Sequence, residues 1–252
     1  MKTVIVAGAA GGIGRGIVGA LLGSGEVRVI ATSRTEERLA ELRAGFDSQA
    51  QSRMLTIRGD AGNFASAEDI VAQVRALGGA DAAIASLGRG FWSSGPILDL
   101  APGEWRSVLD EMLTSHFAFA RAAIPLLRER AGSTYLALGG GAAYAPVPGA
   151  GLMSIAAAGQ LMLTRVLAAE SSGTGPRILE LVVNGPANTP ESRNVAGAKW
   201  MTDGDIGTVA ADLVLRGSTS WPSLRTNGPL LIMDEAPAQP LSKTPDTTDD
   251  GR

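Results

Sequence analysis

Val4-Ile5-Val6-Ala7-Gly8-Ala9-Ala10-Gly11-Gly12-Ile13-Gly14 is the stretch that decides the fold. A β-branched run ends in a glycine cluster, and apolar residues at helical spacing follow (Ile13, Ile17, Leu21) until Gly23-Ser24-Gly25. The run at 4–6 reads as a short strand buried on both faces, and 13–22 as a helix. In that strand–turn–helix setting the glycines have distinct tasks. Gly8 permits the tight turn, Gly12 lets the main chain approach a pyrophosphate, and Gly14 lets helix and sheet pack closely. Ile13 opens a helix whose first turn offers unpaired N–H groups and the positive end of the dipole to an anion.

Outward from this turn the chain alternates. Strands are predicted at 27–31, 54–57, 82–86, 135–138, 179–183 and 229–233, and helices at 35–44, 66–77, 102–130, 151–170 and 203–215. Thr35 and Ser66 stand as N-caps, Gly45 lies just past a helix end, and Pro102 opens the long helix. This alternation implies an α/β protein: a Rossmann-type, doubly wound parallel sheet in three α/β/α layers, as a single domain over 1–235. Residues 236–252, rich in Pro, Thr and Asp, read as a flexible tail.

Composition excludes several function classes. The 252 residues hold no Cys and one His, which removes thiolate chemistry, disulfides and an ordinary zinc site. A net charge of −3 argues against nucleic-acid or anionic-membrane binding. Met1 to Gly8 lacks the apolar core and cleavage site of a signal peptide, and no apolar stretch is read as approaching the roughly 18 residues of a membrane span, so a cytoplasmic protein is expected.

The spacing Gly8-xxx-Gly12-x-Gly14 in its context resembles the short-chain dehydrogenase/reductase family, and the resemblance runs over residues 2–234. Trp105, Pro125, Asn184, Pro186, Thr189 and Gly228 fall at positions similar to family landmarks. The resemblance implies that Asp60 and Ala61 contact an adenine, and that Ser86, Gly88, Pro186 and Thr189 line the cofactor. At the end of the second strand, Ser33 replaces the acid that binds both ribose hydroxyls in NAD-preferring members. Arg34 beside it is a guanidinium able to hold a 2′-phosphate, so NADP(H) is the expected cofactor. Gly11 stands where many NADP-binding relatives carry a basic residue.

The resemblance also implies where proton-transfer residues belong. Family members use a Tyr, a Lys four residues later, a Ser and an Asn; the corresponding positions here are Met153, Ala157, Gly140 and Met112. None of these side chains moves a proton at neutral pH. From Gly139 to Glu170 there is no Lys, and the only Tyr is Tyr144, so no shift of register restores the pair. Tyr144 and His116 are the replacement candidates, each with a plain packing role as the alternative. Arg89 is an anchor for a substrate anion or a solvated charge. Ser154, next to Met153, points elsewhere on the helix.

Two functions follow. One is an NADPH-dependent reductase of an imine, an iminium or a polarised C=C bond in a hydrophobic small molecule, a reaction that forms no alkoxide. A few fungal alkaloid-pathway reductases of the family lack the usual residues, and Pro146-Val147-Pro148-Gly149 is similar to their loop, with Val147 where they carry an acid. Met112, Met153, Phe91, Trp92 and Leu152 are the expected apolar lining. The other is a non-redox protein on the same scaffold: a nucleotide sensor, a scaffold, or a cyclase using the pocket for shape. The helices at 102–130 and 151–170, with Ala156, Ala157, Gly159, Ala168 and Ala169, are expected to form a homodimer or homotetramer face.

Overall fold

The structure is a computed structural model that describes residues 1–90, 95–173, 175–194, 196–197, 200–216 and, as backbone, 230–233. Strand β1 (Lys2–Ala7) leads through the glycine turn into α1 (Gly12–Gly23), then β2 (Val27–Ser33), α2 (Glu36–Ala44), α3 (Ser48–Ser52), β3 (Met54–Arg58), α4 (Phe64–Ala76) and β4 (Ala82–Ala85). After β4 come α5 (Pro102–Leu109), a π turn (Asp110–Thr114), α6 (Ser115–Arg128), β5 (Thr134–Gly140), α7 (Gly151–Ser171) and β6 (Arg177–Val183). The short pair β7 (Ala187–Asn188) and β8 (Met201–Thr202), helix α8 (Asp203–Leu215) and β9 (Leu230–Met233) complete the described chain.

The main sheet has the order β3-β2-β1-β4-β5-β6-β9. Six strands are parallel, as expected of a doubly wound α/β fold. β9 instead runs antiparallel to β6, Leu230 opposite Val183 and Met233 opposite Glu180. The expectation of a wholly parallel sheet is corrected there; an antiparallel strand is common at the edge of such sheets. Strand order reverses between β1 and β4, the switch point beyond whose carboxyl ends open α/β sheets form their ligand crevice.

Two cores flank the sheet. Val4, Val6, Val29 and Ala31 pack under α1 and α8, joined by Leu136, Leu138, Leu179 and Leu181. On the other face Ile5, Ala7, Ala83, Tyr135 and Ile178 pack against α4, α6 and the end of α7. The alternation of these residues along each strand is the period-2 pleat.

Thr35 caps α2 as expected, its hydroxyl accepting from the Arg38 N–H. α4 begins earlier than predicted because Asn63, not Ser66, is its cap; the Asn63 side chain accepts from Ser66 N at 3.1 Å. The predicted helix at 102–130 contains the π turn, and α3, capped by Asp47, was not foreseen. An 18-residue window of the 21-residue α7 has a mean hydropathy of 1.5, long and apolar enough by length and composition to cross a membrane, where the sequence reading expected no such stretch. Half of that stretch is buried within the fold, where it packs on β5 and β6. The tail at 236–252 and residues Phe91, Trp92 and Gly228 lie outside the described residues.

Candidate functional site

The glycine turn has the geometry its sequence demands. Gly8 has φ +74°, and a Cβ there would collide with the Ser86 carbonyl oxygen. A Cβ on Gly14 would collide with the Gly8 carbonyl, so α1 lies directly on the turn. Gly11 is the N-cap of α1 and supplies no side-chain hydrogen bond, which leaves the first-turn N–H groups to an incoming anion. Ile13 is half-buried against the core under α1.

The remaining expected cofactor residues gather at the carboxyl ends of the parallel strands. Ser33 is half-buried at the end of β2, and Arg34 beyond it is exposed. After β3, Asp60 is fixed by its own turn: its N–H donates to Ser66 Oγ at 2.8 Å, and its Oδ1 accepts from Gly62 N at 2.9 Å. Ala61 is buried beside it. Ser86 continues β4, its N–H donating to Ala7 O at 3.0 Å, and Gly88 (φ +97°) leads the chain toward Met112. Pro186 is exposed, and Thr189 comes against the glycine turn; a Cβ on Gly12 would lie 2.7 Å from Thr189 Cβ. Glu191, which the sequence did not mark, reaches the same place, its Oε2 2.5 Å from that Cβ position.

The other half of the crevice holds the positions where the resemblance places proton-transfer residues. Met112 lies in the π turn, its Cγ 3.6 Å from where a Cβ on Gly88 would stand. Met153 and Ala157 are buried on one face of α7. Gly140 ends β5 in extended backbone (φ −115°, ψ 147°), and a Cβ there would meet nothing within 4 Å. Its neighbours are closed: a Cβ on Gly139 would collide with the Glu180 carboxylate, and one on Gly141 with Asn184 Oδ1.

His116 is buried (3% exposed), and burial pushes its pKa down to about 4. The neutral ring places Nε2 3.4 Å from the Leu87 carbonyl, so Nε2 carries the proton there, while Nδ1 has no partner among the described residues. Tyr144 is 46% exposed in the turn after β5. Ser154 is committed to the loop before α7, accepting from Val147 N at 3.2 Å and donating to Ala150 O. Arg89 Nε and Nη2 both donate to Glu111 Oε2.

Sequence reasoning missed Glu180. It is fully buried in β6, and neither carboxyl oxygen has a hydrogen-bond partner among the described residues. Its polar neighbours on α7 also bond each other: Gln160 Nε2 lies 3.4 Å from Thr164 Oγ1, which donates to Gln160 O. A charge inside the run Leu179-Glu180-Leu181-Val182-Val183 was the available signal. A surface cleft of about 640 Å³ lies far from the crevice, at the amino ends of β4 and β5. Its arginines are engaged, Arg75 with Glu129 at 2.8 Å and Arg130 with Asp81 at 3.5 Å.

Residues 8–209 match the family described as enoyl-(acyl carrier protein) reductase. Among solved structures, a short-chain dehydrogenase from Mycobacterium smegmatis is 25% identical, with 87% of this chain and 88% of that one covered and a TM-score of 0.73. A 3-ketoacyl-(acyl-carrier-protein) reductase from Brucella melitensis, solved with NADH, is 18% identical over 87% of this chain and 93% of its own, with a TM-score of 0.74. ElxO, solved with NADP bound, is 16% identical over 85% and 92%, with a TM-score of 0.76. A search of curated proteins found no match. The chain belongs to the short-chain dehydrogenase/reductase family.

Proposed function

We propose that this chain binds NADP(H) and reduces an activated C=N bond, or a polarised C=C bond, of a hydrophobic small molecule. The carrying observation is a division within one crevice. The glycine turn has the shape and free N–H groups that fit a pyrophosphate, while Met112, Gly140, Met153 and Ala157 stand where the resemblance places the proton-transfer residues. Family membership and the dinucleotides bound to structural neighbours support a nicotinamide cofactor.

When bound, NADPH supplies a hydride. The chain's part is to hold and orient. Gly12, Gly14 and the first turn of α1 would hold the pyrophosphate, Ser33 and Arg34 the 2′-phosphate, and Asp60 and Ala61 the adenine end. Met112 and Met153 offer apolar, adaptable surface in the other half of the crevice, whereas Leu152, also expected in the lining, is fully buried. An iminium carbon accepts hydride without forming an alkoxide, so a strong acid is unnecessary. Where the product needs a proton, we assign it to the exposed Tyr144 rather than to His116, whose ring is neutral and held by Leu87.

We also infer self-association through α5, α6 and α7. Trp105, Phe117, Ile155, Met162 and Val166 are exposed large apolar residues, and the last three lie along one face of α7. Of the small residues expected at this face, Ala156, Ala157 and Ala168 are buried in their own core, Gly159 is half-buried and Ala169 is exposed.

The test is NADPH consumption, followed by near-ultraviolet absorbance, across a panel of cyclic imines, iminium ions and activated enones. Turnover of an imine or enone supports the reductase. Tight NADPH binding with no turnover across the panel leaves the non-redox scaffold or cyclase, and absence of a thermal shift with NADP(H) removes the cofactor reading.

A further inference from the structure

We propose that Arg58, at the end of β3, is a second ligand for the cofactor's 2′-phosphate and shares with Arg34 the discrimination against NAD(H). The inference rests on the NADP(H) reading above and goes beyond it, since the sequence resemblance pointed only to Ser33 and Arg34.

β2 and β3 pair in parallel, with Val29 beside Met54, Ala31 beside Thr56 and Ser33 beside Arg58. Partners at one level of a parallel pair project to the same face of the sheet. Val29, Ala31 and Met54 belong to the core under α1, so Ser33 and Arg58 extend those two rows on the α1 side, past the last core residues. That is the corner where a ribose 2′ substituent meets Ser33 in the proposed binding mode. The Gly59 N–H donates to Ser33 O at 2.9 Å, which keeps the end of β3 against the end of β2.

Among the neighbouring arginines, Arg15 is engaged. Its Nε donates to Ala10 O at 3.2 Å, and its Nη2 lies 3.6 Å from Glu41. Arg58 has a looser attachment: Nε is 4.0 Å from Glu36 Oε1, and both side chains are about two-thirds exposed, at 65% and 68%. An exposed pair at that distance is worth little, so exchanging Glu36 for a phosphate is easy. A phosphate monoester offers a denser charge and matches the guanidinium fork. Glu36 and Glu37 in the first turn of α2 repel the same phosphate, so Arg34 alone faces two opposing carboxylates; a second cation restores the balance.

The experiment is fluorescence titration of NADPH and NADH against wild type, Arg34→Gln, Arg58→Gln, Arg58→Lys and the double glutamine variant, with a thermal melt of each. Arg58→Gln is expected to weaken NADPH about tenfold while NADH changes less than about twofold, given the strength of charge-assisted hydrogen bonds. Arg58→Lys falls between, because it keeps the charge and loses the fork. The double variant binds both dinucleotides alike. A wild-type preference for NADPH that survives Arg58→Gln overturns the assignment of Arg58. An equal loss for both dinucleotides also overturns it, since the contact would then lie elsewhere on the cofactor. Wild type binding NADH as tightly as NADPH overturns the NADP(H) reading itself.

Discussion

Replacing Glu180 with Gln tests how a buried acid governs this fold. Glu180 is fully buried, and its carboxyl packs on Gly139 of β5. Burial pushes its pKa from 4.5 up to about 7, while Thr164, Arg165 and Gln160 on α7 pull weakly the other way. The titratable neighbours are Arg165 on α7 and Tyr135 on β5, whose hydroxyl is pushed further up by burial and by Glu180. The folded state therefore holds the proton more tightly than the unfolded chain. Below about pH 4.5 both states are protonated and nothing is lost. Between pH 4.5 and 7 the unfolded state releases its proton first, so stability falls as pH rises, and above about 7 the loss is complete. A rise of roughly 2.5 units at 1.36 kcal/mol each comes to ~3 kcal/mol. Glu180→Gln keeps the shape and removes the titration. It is expected to match wild type near pH 4.5 and exceed it by up to ~3 kcal/mol at pH 8, or roughly 6–12 °C in Tm for a chain of this size. Urea melts followed by circular dichroism at pH 5, 6, 7 and 8 give the difference at each pH. A gap between variant and wild type that does not grow with pH would refute the reasoning.

Other expectations follow from close contacts. Gly139→Ala forces a methyl group into the Glu180 carboxylate and should destabilise by about 1–3 kcal/mol, whereas Gly140→Ala, in open extended backbone, should stabilise by about 0.5 kcal/mol; parallel urea melts compare them, and equal effects would contradict the structure. Glu191→Gln removes a carboxylate from the mouth of the glycine turn and should tighten NADPH about two- to fivefold at low salt, with the gain shrinking as salt screens it; calorimetric titration at two ionic strengths decides. Met162→Glu with Val166→Glu places two charges on the apolar stripe of α7 and should yield monomers by light scattering at a concentration where wild type associates.

What the sequence revealed, it revealed through local constraints. Gly8, Gly12 and Gly14 are each dictated by a φ angle or a close approach, and the β-branched run before them has few alternatives to a buried strand. The expected cofactor residues could be proposed from sequence because most of them stand just past the end of a strand. Arg58 was not, because its meaning depends on lying beside Ser33, a relation that only strand register supplies. The depressed pKa of His116 likewise reflects burial contributed by distant elements. The π turn at Asp110–Thr114 also escaped: nothing in Asp-Glu-Met-Leu-Thr disfavours a plain α-helix, so tertiary packing sets the winding there. Glu191 meets Gly12 only through the return of the chain after β6.

The open space at Gly140 has a consequence for the engineering of this molecule. Its backbone is the ordinary extended conformation of any residue, and no neighbouring atom has moved in to fill the place of a side chain. In the correspondence that the resemblance implies, the difference from the usual family chemistry at this position lies in the side chain and not in the main chain. A serine needs no repair of the strand to be accommodated there. That makes Gly140 the natural first step in retrofitting carbonyl chemistry onto this scaffold, while its neighbours Gly139 and Gly141 are locked in place by Glu180 and Asn184.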